Sequence, residues 1–86
     1  MVYSISDLAV EAGLSYDTLY YYIREGLIKE AGVIGNGQRI FGEAELERVK
    51  RIVKFRKEGK SIEFIRAILE QEEPYVHTEY LRTGRS

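Results

Sequence analysis

Three residues, Gly13-Leu14-Ser15, separate two short stretches of helical character, and a connector this short leaves two helices no arrangement but direct packing. The first stretch opens with Ser6 as N-cap, continues through Asp7-Leu8-Ala9-Val10-Glu11-Ala12, and meets its stop at Gly13. Ser4 with Asp7 fits a capping pattern slightly earlier, so the start is open by a turn. Ser15 is a second N-cap. The helix it opens reads from Tyr16 to Glu25, and Gly26 stands where a left-handed residue commonly ends a helix. Leu19 and Ile23, four apart, share one face, while Leu8, Ala9 and Ala12 supply the matching face of the first helix. The pair is a helix-turn-helix.

Beyond Leu27 the pattern changes. Val33-Ile34 and Arg39-Ile40-Phe41 are short β-prone runs around Gly35-Asn36-Gly37, a strong hairpin turn signal, and together they predict a small β-wing. A third helix follows from Glu43 to about Glu58, with Leu46, Val49, Ile52, Val53 and Phe55 as its apolar stripe. Gly59 stops it. Ser61 then caps a fourth helix carrying Ile62, Ile65, Ile68 and Leu69, which Pro74 ends at the latest. The expected fold is therefore mainly α, a winged helix-turn-helix with a small β-hairpin wing and two further helices. Residues 1–73 form one domain in this reading, and residues 74–86 form a C-terminal tail, flexible or an interaction segment.

Composition narrows the function. The chain has 86 residues, no cysteine and one histidine, His77, which reads as a surface residue of the tail. Disulfides, thiol catalysis, zinc-finger ligand sets and histidine-based triads are thereby excluded, and no carboxylate pair or glycine-rich phosphate loop stands out. The expectation is a non-enzyme with no cofactor and no metal. No apolar run reaches the roughly 20 residues of a membrane span, and the N-terminus lacks the basic-then-apolar pattern of a signal peptide, so a cytoplasmic location with no membrane partner is expected. The net charge of −1 is unevenly placed. Residues 1–30 hold five acids against two bases, whereas residues 43–60 hold four glutamates against seven bases. A local basic patch is compatible with that arrangement, and so is a helix surface dotted with solubilising charges.

On the second helix, Tyr16, Thr18, Tyr20, Tyr21 and Arg24 lie on or near the side opposite Leu19 and Ile23. A phenol can donate to a phosphate oxygen, and Thr18 can meet a phosphate or a thymine methyl group. By periodicity alone Tyr20 and Tyr21 read more readily as partly packed tyrosines. Tyr22 reads as packed against the wing base or the long helix, and Asp17 as a partner of the helix dipole. Asn36 at the wing tip reads chiefly as turn chemistry, with positive φ tolerated, and secondarily as a DNA contact. Lys60-Ser61 opens the fourth helix, whose free N–H groups suit a phosphate as well as an ordinary cap. Arg56 and Lys57 read as electrostatic support for that turn or as solvated charges.

The order helix, turn, helix, wing, long helix, Gly-Lys-Ser, helix resembles the N-terminal DNA-binding domain of the MerR family of transcriptional regulators. The resemblance is carried by Tyr3-Ser4-Ile5-Ser6-Asp7-Leu8-Ala9, Ala12-Gly13-Leu14-Ser15, Thr18-Leu19-Tyr20-Tyr21-Tyr22 and Glu25-Gly26-Leu27-Ile28. It continues through Gly37-Gln38-Arg39-Ile40-Phe41 and Phe55-Arg56-Lys57-Glu58-Gly59-Lys60-Ser61-Ile62-Glu63-Phe64-Ile65. It implies sequence-specific binding of double-stranded DNA by a transcription regulator, with helix 16–25 in the major groove. It also implies that Tyr21 contacts backbone, that Arg39 lies against phosphate, and that Gln38 and the Lys60-Ser61 turn sit near the duplex. Tyr20 departs from the family, which usually has arginine there, and Gln38 replaces an aromatic common in the wing.

The family also continues into a dimerisation helix and an effector domain, where this sequence has only a short tail interrupted by Pro74. A monomer or at most a weak dimer is therefore expected. Neighbouring copies on DNA or a partner protein would supply further contacts, and no small-molecule effector is expected within this chain. Two other readings stand beside this one. One is a phage or plasmid factor, excisionase-like or for packaging. The other is a protein-interaction module that has lost DNA binding, favoured by the acidic total and by Tyr20.

Overall fold

The computed structural model describes residues 1–72. Their elements are α1 (Ile5–Ala12), α2 (Tyr16–Arg24), β1 (Gly32–Ile34), β2 (Gln38–Ile40), α3 (Glu43–Lys57) and α4 (Ile62–Glu72). This is the expected winged helix-turn-helix, and α1 and α2 each pack on the rest of the core through one apolar face. Readings made for Pro74, Val76, His77 and the rest of the tail lie outside the described residues.

Local chemistry explains most boundaries. Gly13 takes φ 72° after α1 and Gly26 takes φ 78° after α2, the left-handed conformation that a side chain would strain. The N-cap of α1 is Ser4, not Ser6. Its extended backbone (φ −77°, ψ 173°) lets its hydroxyl accept the Asp7 N–H at 3.1 Å, while Ser6 is an exposed residue inside the helix. Tertiary contact decides between the two serines. Tyr3 forms an antiparallel bridge to Phe41, with N–H to oxygen distances of 2.7 and 2.8 Å, and this holds the chain extended up to Ser4. Ile5 then begins the helix packed against the core.

The hairpin pairs Gly32 with Ile40, Val33 with Arg39, and Ile34 with Gln38. Its three-residue turn closes with Gly37 N–H on the Ile34 carbonyl at 2.7 Å. The positive φ belongs to Gly37 (90°), and Asn36 stays at negative φ. Asn36 instead accepts the Gln38 N–H on Oδ1 at 3.2 Å, an Asx turn that leaves the left-handed position to the residue without a side chain. Phe41 leaves the hairpin and becomes the fully buried centre of the core.

Around Phe41 pack Leu8, Leu19, Leu27, Val49, Ile52, Ile65 and Leu69, each essentially removed from solvent. At roughly 1.5–3 kcal/mol for each large apolar side chain buried, this cluster holds the helices and the wing base together. Of the expected stripes, Val53 and Phe55 on α3 and Ile68 on α4 are only half-buried. Phe55 instead meets Phe64 edge-on at 6.1 Å, on the outside of the α3–α4 corner.

Candidate nucleic-acid interface

Helix α2 is built to show one face. Ser15 Oγ accepts the Thr18 N–H at 3.1 Å and donates to Thr18 Oγ1 at 2.9 Å, which fixes the first turn. Leu19 and Tyr22 are buried, with Tyr22 turned to the long helix side, where it shares a cleft with Val53. Tyr16, Tyr20, Tyr21 and Arg24 are left exposed on the other side. Thr18 is half-buried and its hydroxyl is already engaged by Ser15.

The exposed aromatics are ordered by one another and by cations. The rings of Tyr16 and Tyr20 stack with centroids 5.8 Å apart and planes 13° from parallel. The Arg24 guanidinium stands 5.9 Å from the ring centres of both Tyr20 and Tyr21. Arg39 reaches from the wing to 6.0 Å from the Tyr20 ring, with its Nε 4.0 Å from Glu30 Oε1. Tyr20 is thus flanked by cations from its own helix and from β2. Ile5, Tyr16, Tyr20, Gly37, Gln38 and Arg39 line a shallow groove between α2 and the wing.

On the far side of α2, Arg56 and Lys57 border the cleft that Ala12, Leu14, Tyr22 and Val53 floor. Arg56 donates to the Lys60 carbonyl at 2.9 Å, and Ser61 Oγ accepts the Phe64 N–H at 3.0 Å, so the turn before α4 is closed at both ends. Lys60 Nζ lies 5.2 Å from the Phe64 ring centre, and its charge is exposed. Tyr16, Tyr20, Gln38 and Arg39 therefore come together directly, with Arg24 and Tyr21 beside them. Lys60 and Ser61 belong to a separate turn, linked to the α2 side through Arg56. Asn36 spends its side-chain oxygen on the turn.

Sequence reasoning did not single out the groups that aim α2. Arg66 of α4 donates to the Glu25 carbonyl at 2.6 Å and to Glu25 Oε1 at 3.1 Å. Arg48 of α3 donates through Nε to the Leu27 carbonyl at 2.5 Å. Both bonds satisfy carbonyls at and just beyond the helix end and place positive charge where the helix dipole favours it. Their partners lie 41 and 21 residues away in sequence, so no local pattern announces them.

What this surface presents is a set of donors: phenol hydroxyls, guanidiniums and an ammonium group. Among the described residues, no cluster of three or more His, Cys, Asp or Glu is placed to hold a metal ion, and no helix is long and apolar enough to cross a membrane.

Comparison with known proteins places the arrangement. The sequence pattern of the MerR HTH family of regulatory proteins matches residues 3–72. The chain is 34% identical over 68 residues to the HTH-type transcriptional regulator ZntR of Escherichia coli, covering 79% of this chain and 48% of ZntR. It is 29% identical over 70 residues to the HTH-type transcriptional activator mta of Bacillus subtilis, covering 81% of this chain and 27% of mta. The chain thus spans half or less of the length of these relatives. Its fold matches the crystal structure of HiNmlR, a MerR family regulator lacking the sensor domain, bound to promoter DNA. That match has a TM-score of 0.77 and 24% identity, and it covers 98% of this chain and 67% of HiNmlR. With its family pattern running through both helices, the wing and the α3–α4 corner, the chain belongs to the MerR family of helix-turn-helix regulatory proteins.

Proposed function

We propose that this chain is the sequence-specific, double-stranded DNA-binding part of a transcription regulator, with residues 1–73 as the binding domain and residues 74–86 as a tail. Helix α2 enters the major groove and meets it with Tyr16, Thr18, Tyr20, Tyr21 and Arg24. Arg39 and Gln38 of the wing lie along backbone on one side of α2. The Lys60-Ser61 turn lies along backbone on the other, with N–H groups at the start of α4 open to a phosphate. Asn36 acts by shaping the wing tip that presents Gln38 and Arg39. The reading also makes the chain a non-enzyme that works in the cytoplasm, where DNA is its partner and neighbouring copies or a partner protein add contacts on the duplex.

The observation that carries this reading is the convergence of cations from two elements on the exposed ring of Tyr20. A surface whose only task was solubility would not need guanidiniums held against a tyrosine ladder. In support, the fold neighbour HiNmlR is bound to promoter DNA in its crystal structure, and the matched relatives are transcriptional regulators. Titration of the chain with mixed genomic duplexes across a range of salt is the test. Counterion release predicts an affinity that falls linearly with salt on logarithmic axes, by about 0.9 in slope for each phosphate contacted. A chain that shows no salt-dependent binding to any duplex is instead the protein-interaction module.

A further inference from the structure

The surroundings of Tyr20 define what the exposed face of α2 offers a ligand. Tyr16 and Tyr20 are one turn apart, stacked nearly parallel, and 49% and 37% exposed. Both residues line the groove between α2 and the wing. Arg24 and Arg39 stand against the Tyr20 ring, so the ring is held before any ligand arrives. Holding the side chain in place removes the entropy that ordering it on binding would otherwise cost.

What such a pair can recognise follows from its chemistry. An arginine reads guanine with two parallel donors, to O6 and N7. A phenol has one hydroxyl and cannot make that bidentate contact. Its remaining surface is a ring edge, apolar and weakly positive. The bases of an intact duplex are stacked and offer no face to a ring. The apolar group they do offer in the major groove is the C5-methyl of thymine. The two arginines beside the Tyr20 ring are cations of the kind that meets phosphate.

We propose that the Tyr16–Tyr20 ring pair is a specificity element that reads a thymine methyl group in the major groove. This rests on the DNA-binding reading above and adds to it the chemistry of one base position. The hydroxyl of Tyr20 is not the reader. The ring edge is.

The experiment selects duplexes from a randomised library with the chain, then replaces each enriched thymine singly by uracil, which removes only the methyl group. At least one thymine should be enriched, and uracil there should weaken binding about four-fold, the worth of one buried methyl. Tyr20→Ala should abolish the distinction between thymine and uracil, and Tyr20→Arg should enrich guanine at that position. Three results overturn the proposal while leaving DNA binding intact: salt-dependent binding to selected sites without thymine, equal binding of uracil and thymine at every position, or unchanged discrimination in Tyr20→Ala. Failure to bind any duplex with a salt slope overturns both readings together.

Discussion

Arg66 holds Glu25 twice, through its main-chain oxygen at 2.6 Å and its carboxylate at 3.1 Å, so that α4 grips the C-terminal end of α2. The Arg66 side chain is 34% exposed, which screens the ion pair but leaves the bond to the carbonyl in a fixed geometry. Removing it strands the carbonyl at the helix end. Arg66→Ala should therefore cost about 1 kcal/mol, less than a fully buried charged hydrogen bond. Glu25→Gln should cost less, because the main-chain bond survives. Urea denaturation of the two variants checks the order, and an equal loss would show that the carboxylate, not the carbonyl, carries the contact.

The proposed interface assigns Arg39 to binding rather than to folding. Its partner Glu30 is 4.0 Å away in a partly exposed pair, an interaction worth well under about 1 kcal/mol. Arg39→Ala should leave the thermal midpoint nearly unchanged. It should weaken binding to all duplexes alike and lower the salt slope by about one. Unchanged affinity with an unchanged slope would remove Arg39 from the interface.

The reach of sequence reasoning had a physical limit. Gly13, Ser15, Gly26, Gly59 and Ser61 mark helix ends by chemistry contained within a few residues, and the structure uses each of them in that way. Local chemistry favours Ser6 over Ser4, and the structure uses Ser4. The bridge from Tyr3 to Phe41 decides between them, and its partners lie far apart in sequence. The face of α2 was legible from Leu19 and Ile23. The bracketing of Tyr20 by Arg24 and Arg39 was not, because Arg39 comes from the wing and is placed by the register of the hairpin. The clasp of Arg48 and Arg66 on the end of α2 escaped for the same reason.

Tyr20 carries a hydroxyl that hydrogen-bonds to no other described residue, on a ring ordered by stacking and by cations. Tyr20→Phe should keep stability within about 0.5 kcal/mol, as expected at a surface position. It should keep the preference for thymine over uracil, because the ring edge is retained, while overall affinity falls through loss of a donor. Calorimetry beside a binding titration separates the two effects. A stability loss above about 1 kcal/mol with normal binding would mark a buried, bonded hydroxyl instead.

Glu72 closes the far end of the fold. Its carboxylate accepts from both terminal nitrogens of Arg51, so the C-terminal end of α4 is clasped to the middle of α3. The bond to Arg51 holds the Glu72 carboxyl below its ordinary value of 4.5, against a smaller opposing push from desolvation. A folded-state value below the unfolded one means stability that is present above pH 4.5 and lost as pH falls through the lowered value. Glu72→Gln should flatten that part of the acid limb, and unfolding measured from pH 5 downward, at about half-unit steps, shows it. Equal acid sensitivity in both proteins would place the titrating group elsewhere.

Tyr3 gives the opposite sign at the alkaline end. Its hydroxyl donates to Glu43 Oε2 at 2.9 Å, joining the extended segment before α1 to the first turn of α3. The bond to Glu43 raises the phenol above its ordinary value of 10.0, and desolvation and the neighbouring carboxylates push the same way. Ionisation would remove the donated proton and set a phenolate against a carboxylate. The folded state therefore retains the proton more strongly than the unfolded chain, and the stabilisation is complete below pH 10 and lost as pH rises through the raised value. Tyr3→Phe keeps the buried ring and the backbone bridge to Phe41 but removes the bond, so it should be less stable at neutral pH and should lack this alkaline decline. Stability of the two proteins compared between about pH 8 and pH 11 decides it, because only loss of the Tyr3–Glu43 bond predicts that their difference shrinks as the phenol ionises.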